Sequence, residues 1–137
     1  VPVNTRNLRD YKKAMFWVAA AGPLSNLVMA VLWLWIGNIA ALGLLGDQIS
    51  AFLAQSADVG VVINLGLMVF NLVPILPLDG GRMLHVFLPP KQSYEFSKIE
   101  PYGIWIVLGL SYVGILWAIL SPVLLFFYKL IYFFSFA

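Results

Sequence analysis

The sequence predicts an all-α, polytopic transmembrane helical bundle, and three observations predict it. Of 137 residues, 62% are hydrophobic and only 10% are charged, against about 25% charged in a soluble domain. The mean hydropathy is +0.93. Several windows are also long and apolar enough to cross a bilayer core about 30 Å thick, which takes about 20 residues at 1.5 Å per residue. This balance excludes a water-soluble globule and a disordered tail. A net charge of +2 is too small for phosphate-backbone binding, so no nucleic-acid partner is read. Cysteine is absent, which removes disulfides, thiolate nucleophiles and Cys-built metal sites.

The elements follow in order within a single membrane domain, 1–137. Residues 1–13 are a polar, basic lead-in. Residues 14–45 form span one, longer than a crossing needs, with Gly37, Asn38, Gly43 and Gly46 marking the exit of its far end. A loop over 46–58 leads to span two, 59–78, and a cytoplasmic loop over 79–101 leads to span three, 102–120. Ser121-Pro122 then breaks the chain. The apolar tail 123–137, with Lys129, reads as a fourth, tilted span rather than an interfacial helix. Tyr128, Tyr132, Phe133 and Phe134 read as an aromatic belt there. Trp33 and Trp35, in mid-span, read as packing or lipid-facing residues.

Lys and Arg set the orientation. The lead-in holds four (Arg6, Arg9, Lys12, Lys13), the first loop none, and the segment after span two three (Arg82, Lys91, Lys98). By the positive-inside rule, residues 1–13 and 79–100 face the cytoplasm of a cell membrane crossed several times. Arg82 and Lys91 read as interface anchors. No signal peptide is read at Val1.

Two stretches are too particular for plain anchors. In Ala21-Gly22-Pro23-Leu24-Ser25-Asn26, Pro23 removes a backbone donor, Gly22 admits a close neighbour, and Asn26 needs a partner at membrane depth. Taken alone, this stretch reads as a small-residue packing face with a proline kink. In Asn71-Leu72-Val73-Pro74-Ile75-Leu76-Pro77-Leu78-Asp79-Gly80-Gly81-Arg82, two prolines forbid a regular helix, so the backbone opens between Asn71 and Asp79. Such backbone is tolerated at membrane depth only where protein buries it or water reaches it. Asp79 is then either an acidic group at a cavity or part of an interfacial Asp-Gly-Gly turn. The inferred topology puts both stretches at similar depth, as two walls of one site would be.

The Asn71–Arg82 stretch resembles the C-terminal signature of the site-2 protease family of intramembrane zinc metalloproteases. There an Asn precedes a Pro-interrupted stretch and then Asp-Gly-Gly. Gly22-Pro23-Leu24-Ser25-Asn26 is similar to the family's Gly-Pro-x-x-Asn landmark on the preceding core helix. The lead-in from Pro2 to Arg9 looks like the one in bacterial members. The resemblance implies zinc as cofactor, a membrane-embedded protein or peptide as substrate, and cleavage near the cytoplasmic face. It implies Asp79 as a zinc ligand and Asn71 as a donor to the oxyanion or an orienter of the substrate strand. It makes Pro74 and Pro77 the holders of the unwound segment. Gly80 and Gly81 would let the backbone turn beside the metal, and Gly22, Pro23 and Asn26 would be supporting wall.

The departure from the pattern is equally plain. The family's His-Glu-x-x-His, which supplies two zinc-binding histidines and the general base, is absent, and the single histidine is His85. His85 reads as an interfacial side chain rather than a ligand. Catalytic zinc takes three protein ligands, so this chain alone is expected to be inactive. It reads as the C-terminal part of a protease whose dyad helix lies upstream. The alternatives are a non-catalytic pseudoprotease or membrane scaffold, and an ion-coupled transporter with Asp79 as the ion site.

Overall fold

The computed structural model describes residues 5–135, with side chains from Arg9 onward. The expectations for Val1–Asn4 and for Phe136 and Ala137 lie outside the described residues. Six helices run α1 (Thr5–Ala41), α2 (Asp47–Asn71), α3 (Asp79–Phe87), α4 (Pro90–Ser97), α5 (Glu100–Val113) and α6 (Ile115–Phe133), and among the described residues there is no strand. Three helical segments, Arg9–Ala41, Asp47–Asn71 and Ile115–Phe133, are long and apolar enough to cross a membrane.

The helix boundaries correct the expected ones at two places, besides putting α3 and α4 into the segment read as a loop over 79–101. The loop read over 46–58 is helical from Asp47 onward. Ala51, Ala54 and Ala57 are strong helix formers, and Asp47 in the first turn suits the positive end of the helix dipole. A hydropathy window registers the polarity of Asp47-Gln48 and Gln55-Ser56 but cannot tell a polar helical turn from a loop. The second correction is the break expected at Ser121-Pro122. Pro122 lies inside α6, and the chain breaks at Gly114 instead, whose φ of 86° ends α5 in the left-handed conformation. The helix expected over 102–120 is therefore divided, and the apolar helix long enough to cross starts at Ile115. A proline in a membrane helix forfeits one hydrogen bond that neighbouring groups can restore. A non-glycine residue would be strained at Gly114's dihedral.

The described residues form two compact units, 5–23 with 71–118 and 24–70 with 119–135. In the first, Ala19, Ala20, Val73, Leu76, Val107 and Leu116 are buried. Phe16 of α1 meets Phe87 at the end of α3 with ring centroids 5.3 Å apart. In the second, Ala30, Leu34, Val61, Leu65, Met68 and Ile131 form the core. There Gly60 of α2 lies directly against the Trp33 indole of α1, and Gly37 faces the Ala57 methyl. Trp33 is half-buried and Trp35 exposed, so one packs and the other presents its ring outward. Tyr132 donates to Asp58 Oδ1 at 3.1 Å, and Ser135 Oγ donates to Asn38 Oδ1 at 3.0 Å. Much of the large apolar surface faces outward in both units, including Trp105, Tyr112, Phe52 and Ile119, as helices solvated by lipid require.

Candidate functional site

The site is built around one opened stretch of backbone. Helix α2 ends at Asn71 and α3 begins at Asp79, with no regular helix between them. Two short-range bonds shape this segment. Ile75 N–H donates to the Val73 carbonyl at 2.8 Å, and Leu78 N–H donates to the Ile75 carbonyl at 2.9 Å, around a cis Leu76–Pro77 bond. Arg82 N–H donating to the Leu78 carbonyl at 3.1 Å then starts α3. Asp79 is thereby fixed in the first turn of α3, where a carboxylate meets the positive end of the helix dipole.

The segment is folded back onto glycines. A Cβ on Gly80 would collide with the Leu72 carbonyl, and with the Val73 oxygen at 2.6 Å. One on Gly81 would collide with the backbone of Ile75 and Leu76, the Leu76 nitrogen standing 2.5 Å away. One on Gly103, in α5, would strike the Leu76 carbonyl and stand 3.1 Å from Pro77 Cδ. Neither Gly80 nor Gly81 has a positive φ. Their expected role of letting the backbone turn is therefore corrected: they sit inside α3 and are needed for close approach. Gly103 was not anticipated. In sequence it looks like Gly66 and Gly109, beside both of which a Cβ would meet nothing within 4 Å.

Helix α1 approaches Asp79 from the other side. A Cβ on Gly22 would collide with Asp79 Oδ2, with Cγ 3.3 Å and Oδ1 3.9 Å away. The structure thus brings Gly22 and Asp79 together. Pro23 is buried beside this contact, Pro77 and Asp79 are half-buried, and Pro74 is exposed. Asn71 is half-buried at the end of α2. Asn26 is also half-buried but belongs to the other compact unit.

His85 lies in the last turn of α3. Its Nε2 and Ser93 Oγ of α4 are hydrogen-bonded at 2.9 Å, and its ring stacks on Phe96 at 6.2 Å. These contacts tie α3 to α4. No three His, Cys, Asp or Glu residues are grouped for a metal among the described residues.

A helical chain with three segments long and apolar enough to cross a membrane, and a proline-broken, glycine-packed stretch that carries one carboxylate, has the build of a polytopic membrane protein. Its sequence matches Peptidase family M50 over residues 38–113. The chain belongs to that family, and the site-2 protease resemblance is thereby established. It is 33% identical over 129 residues to the Bacillus subtilis protein named "Putative zinc metalloprotease YwhC", covering 88% of this chain and 58% of that one. It is 36% identical over 76 residues to "Putative zinc metalloprotease Rip3" of Mycobacterium tuberculosis, covering 56% and 18%. It is 29% identical over 83 residues to "Zinc metalloprotease MJ0392" of Methanocaldococcus jannaschii, covering 61% and 22%. The chain thus spans at most 58% of the length of these relatives. No solved structure matches it.

Proposed function

We propose that this chain is part of the membrane core of a zinc metallopeptidase that hydrolyses peptide bonds of membrane-embedded substrates near the cytoplasmic face. The observation that carries this reading is the Asp79 carboxylate, presented by the Asn71–Asp79 opening and grazed by Gly22. Zinc proteolysis is the activity that the relatives' names give them, and it comes to this chain as a proposal. Catalytic zinc takes three protein ligands and keeps a position for water, whose pKa it lowers. We assign one ligand, Asp79, to this chain and the others to residues outside it. By itself the chain is then inactive.

The remaining residues have supporting parts. Gly22 lets α1 pass close enough to hold the Asp79 carboxylate in one orientation. Pro23 belongs to the same wall-forming stretch of α1. Pro74 and Pro77 keep the segment from closing into a helix, while Gly80 and Gly81 let it lie flat on α3. The Asn71 amide, at the point where α2 ends, is assigned to the substrate strand or to the oxyanion.

The absence of His-Glu-x-x-His from the sequence favours a second reading, a scaffold that kept the fold without the chemistry. One experiment separates the two: zinc content and cleavage of a membrane-embedded peptide, measured on the natural full-length protein and its Asp79→Ala form. Zinc and cleavage in the natural protein, both lost on substitution, support the protease. Zinc retained equally in the variant removes Asp79 from the ligand set. A natural protein with neither zinc nor cleavage leaves the scaffold.

A further inference from the structure

A cavity of about 350 Å³ opens among α1, the opened segment, α3, α4 and the start of α5, all within one compact unit. Three of its lining side chains, Lys12, Arg82 and His85, can be cationic, against a single carboxylate, Glu100. Even with His85 neutral the charged lining is one positive charge in excess. Ser97 also lines the cavity, its hydroxyl donating to the Tyr94 carbonyl at 2.7 Å, while Met15 and Val86 line the same space with apolar groups. We propose that this cavity binds a phosphoester anion, the headgroup of an anionic phospholipid.

The chemistry is that of phosphate recognition. Lys gives a point charge and Arg a planar fork of donors, and charge-assisted bonds to phosphate are the strong ones. The change of lining from charged to apolar is what selects a lipid over a soluble anion. Lys12 stands two residues before Ala14, where the apolar run of α1 begins, so its ammonium belongs at headgroup depth. Met15, one turn further on, would then stand level with the first carbons of an acyl chain. The size also fits. A glycerophosphate group of about ten heavy atoms needs roughly 200–300 Å³ at the ~30 Å³ a water-sized group occupies. Juxtamembrane basic groups attract anionic lipids in general, but a walled cavity adds a shape that a polybasic stretch lacks.

The position gives the site a consequence. Leu76, whose carbonyl rests on Gly103, also lines the cavity. A headgroup held between Lys12 and Arg82 would therefore join α1 to α3, the helix that begins with Asp79. The inference does not depend on the hydrolytic reading, since it concerns binding alone.

The test is native mass spectrometry and thermal melting of the full-length protein in neutral detergent. The probes are phosphatidylglycerol, phosphatidylcholine and free glycerol 3-phosphate. Phosphatidylglycerol is expected to be retained and to raise the melting temperature, with phosphatidylcholine at least ten-fold weaker. Lys12→Gln and Arg82→Gln should each weaken retention about ten-fold, and Lys12→Arg should restore it. Lys13→Gln, exposed and outside the lining, should change nothing and serves as the control for charge alone. Competition by glycerol 3-phosphate at the same concentration would keep the anion site but overturn the lipid as its source. Equal retention of the two lipids, or retention unchanged in both glutamine variants, would overturn the proposal.

Discussion

Gly22→Ala separates holding the fold together from holding a carboxylate in place. The added methyl would collide with Asp79 Oδ2, the far end of a short side chain. The carboxylate can retreat by rotation, roughly 1 Å being enough to restore ordinary van der Waals separation. An off-rotamer side chain costs about 0.5–1.5 kcal/mol. Replacing Gly by Ala inside a helix returns about 0.8–1 kcal/mol. The two effects nearly cancel, so the melting temperature in detergent should stay within a few degrees of the natural protein's. Function should respond very differently. A displacement of about 1 Å at a reacting centre can cost on the order of 10²-fold, so zinc affinity or cleavage by the full-length protein should fall by about that factor. Zinc affinity and cleavage both unchanged would refute the idea that Gly22 sets the carboxylate's position. A large loss of thermal stability would refute the claim that Asp79 is free to yield.

Other substitutions discriminate by what the new atom would meet. Gly103→Ala drives a methyl into the Leu76 carbonyl, which is backbone and cannot rotate away; it should destabilise by about 1–3 kcal/mol or more, read as a lower melting temperature. Gly109→Ala, with nothing within 4 Å, should instead stabilise by roughly 0.5–1 kcal/mol in the same measurement. Gly60→Ala meets the Trp33 ring and should cost about 1–3 kcal/mol, with a change in tryptophan fluorescence as the ring moves. Tyr132→Phe removes the 3.1 Å bond to the exposed Asp58, and its cost should not exceed about 1 kcal/mol.

Composition made the membrane helices legible, because a chain with 10% charge has no soluble alternative. The opening between Asn71 and Asp79 was legible too, since prolines act through covalent geometry that no tertiary contact can override. Pro122 marks the limit of that reasoning. One proline inside α6 loses a single bond and the helix continues, whereas two prolines three residues apart leave no unbroken turn. Gly114 ends α5 through its own positive φ, yet nothing local distinguishes it from Gly109 five residues earlier. The pairing of Gly22 with Asp79 was suggested only by shared depth, and the seat of Leu76 on Gly103 by nothing in the sequence. Close approach is a property of two segments, and a sequence displays one at a time.

That distinction bears on the turn reading that the Asp-Gly-Gly stretch first allowed. An interfacial turn would place its glycines at positive φ, exposed, with the preceding chain free in solvent. Gly80 and Gly81 are instead buried, without positive φ, beneath a segment whose Val73 and Leu76 are buried as well. Holding non-helical backbone inside protein costs hydrogen bonds and close-packed surface, and a plain anchor has no reason to carry that cost. Here it is borne by three glycines, Gly80, Gly81 and Gly103, that receive the backbone, and by two prolines that keep it open. A fourth glycine, Gly22, lets α1 reach the carboxylate that follows. All six act on one short stretch and deliver Asp79 to the start of α3 in a single orientation. The expense is intelligible if the position of that carboxylate, rather than its mere presence, is what the rest of the protein uses.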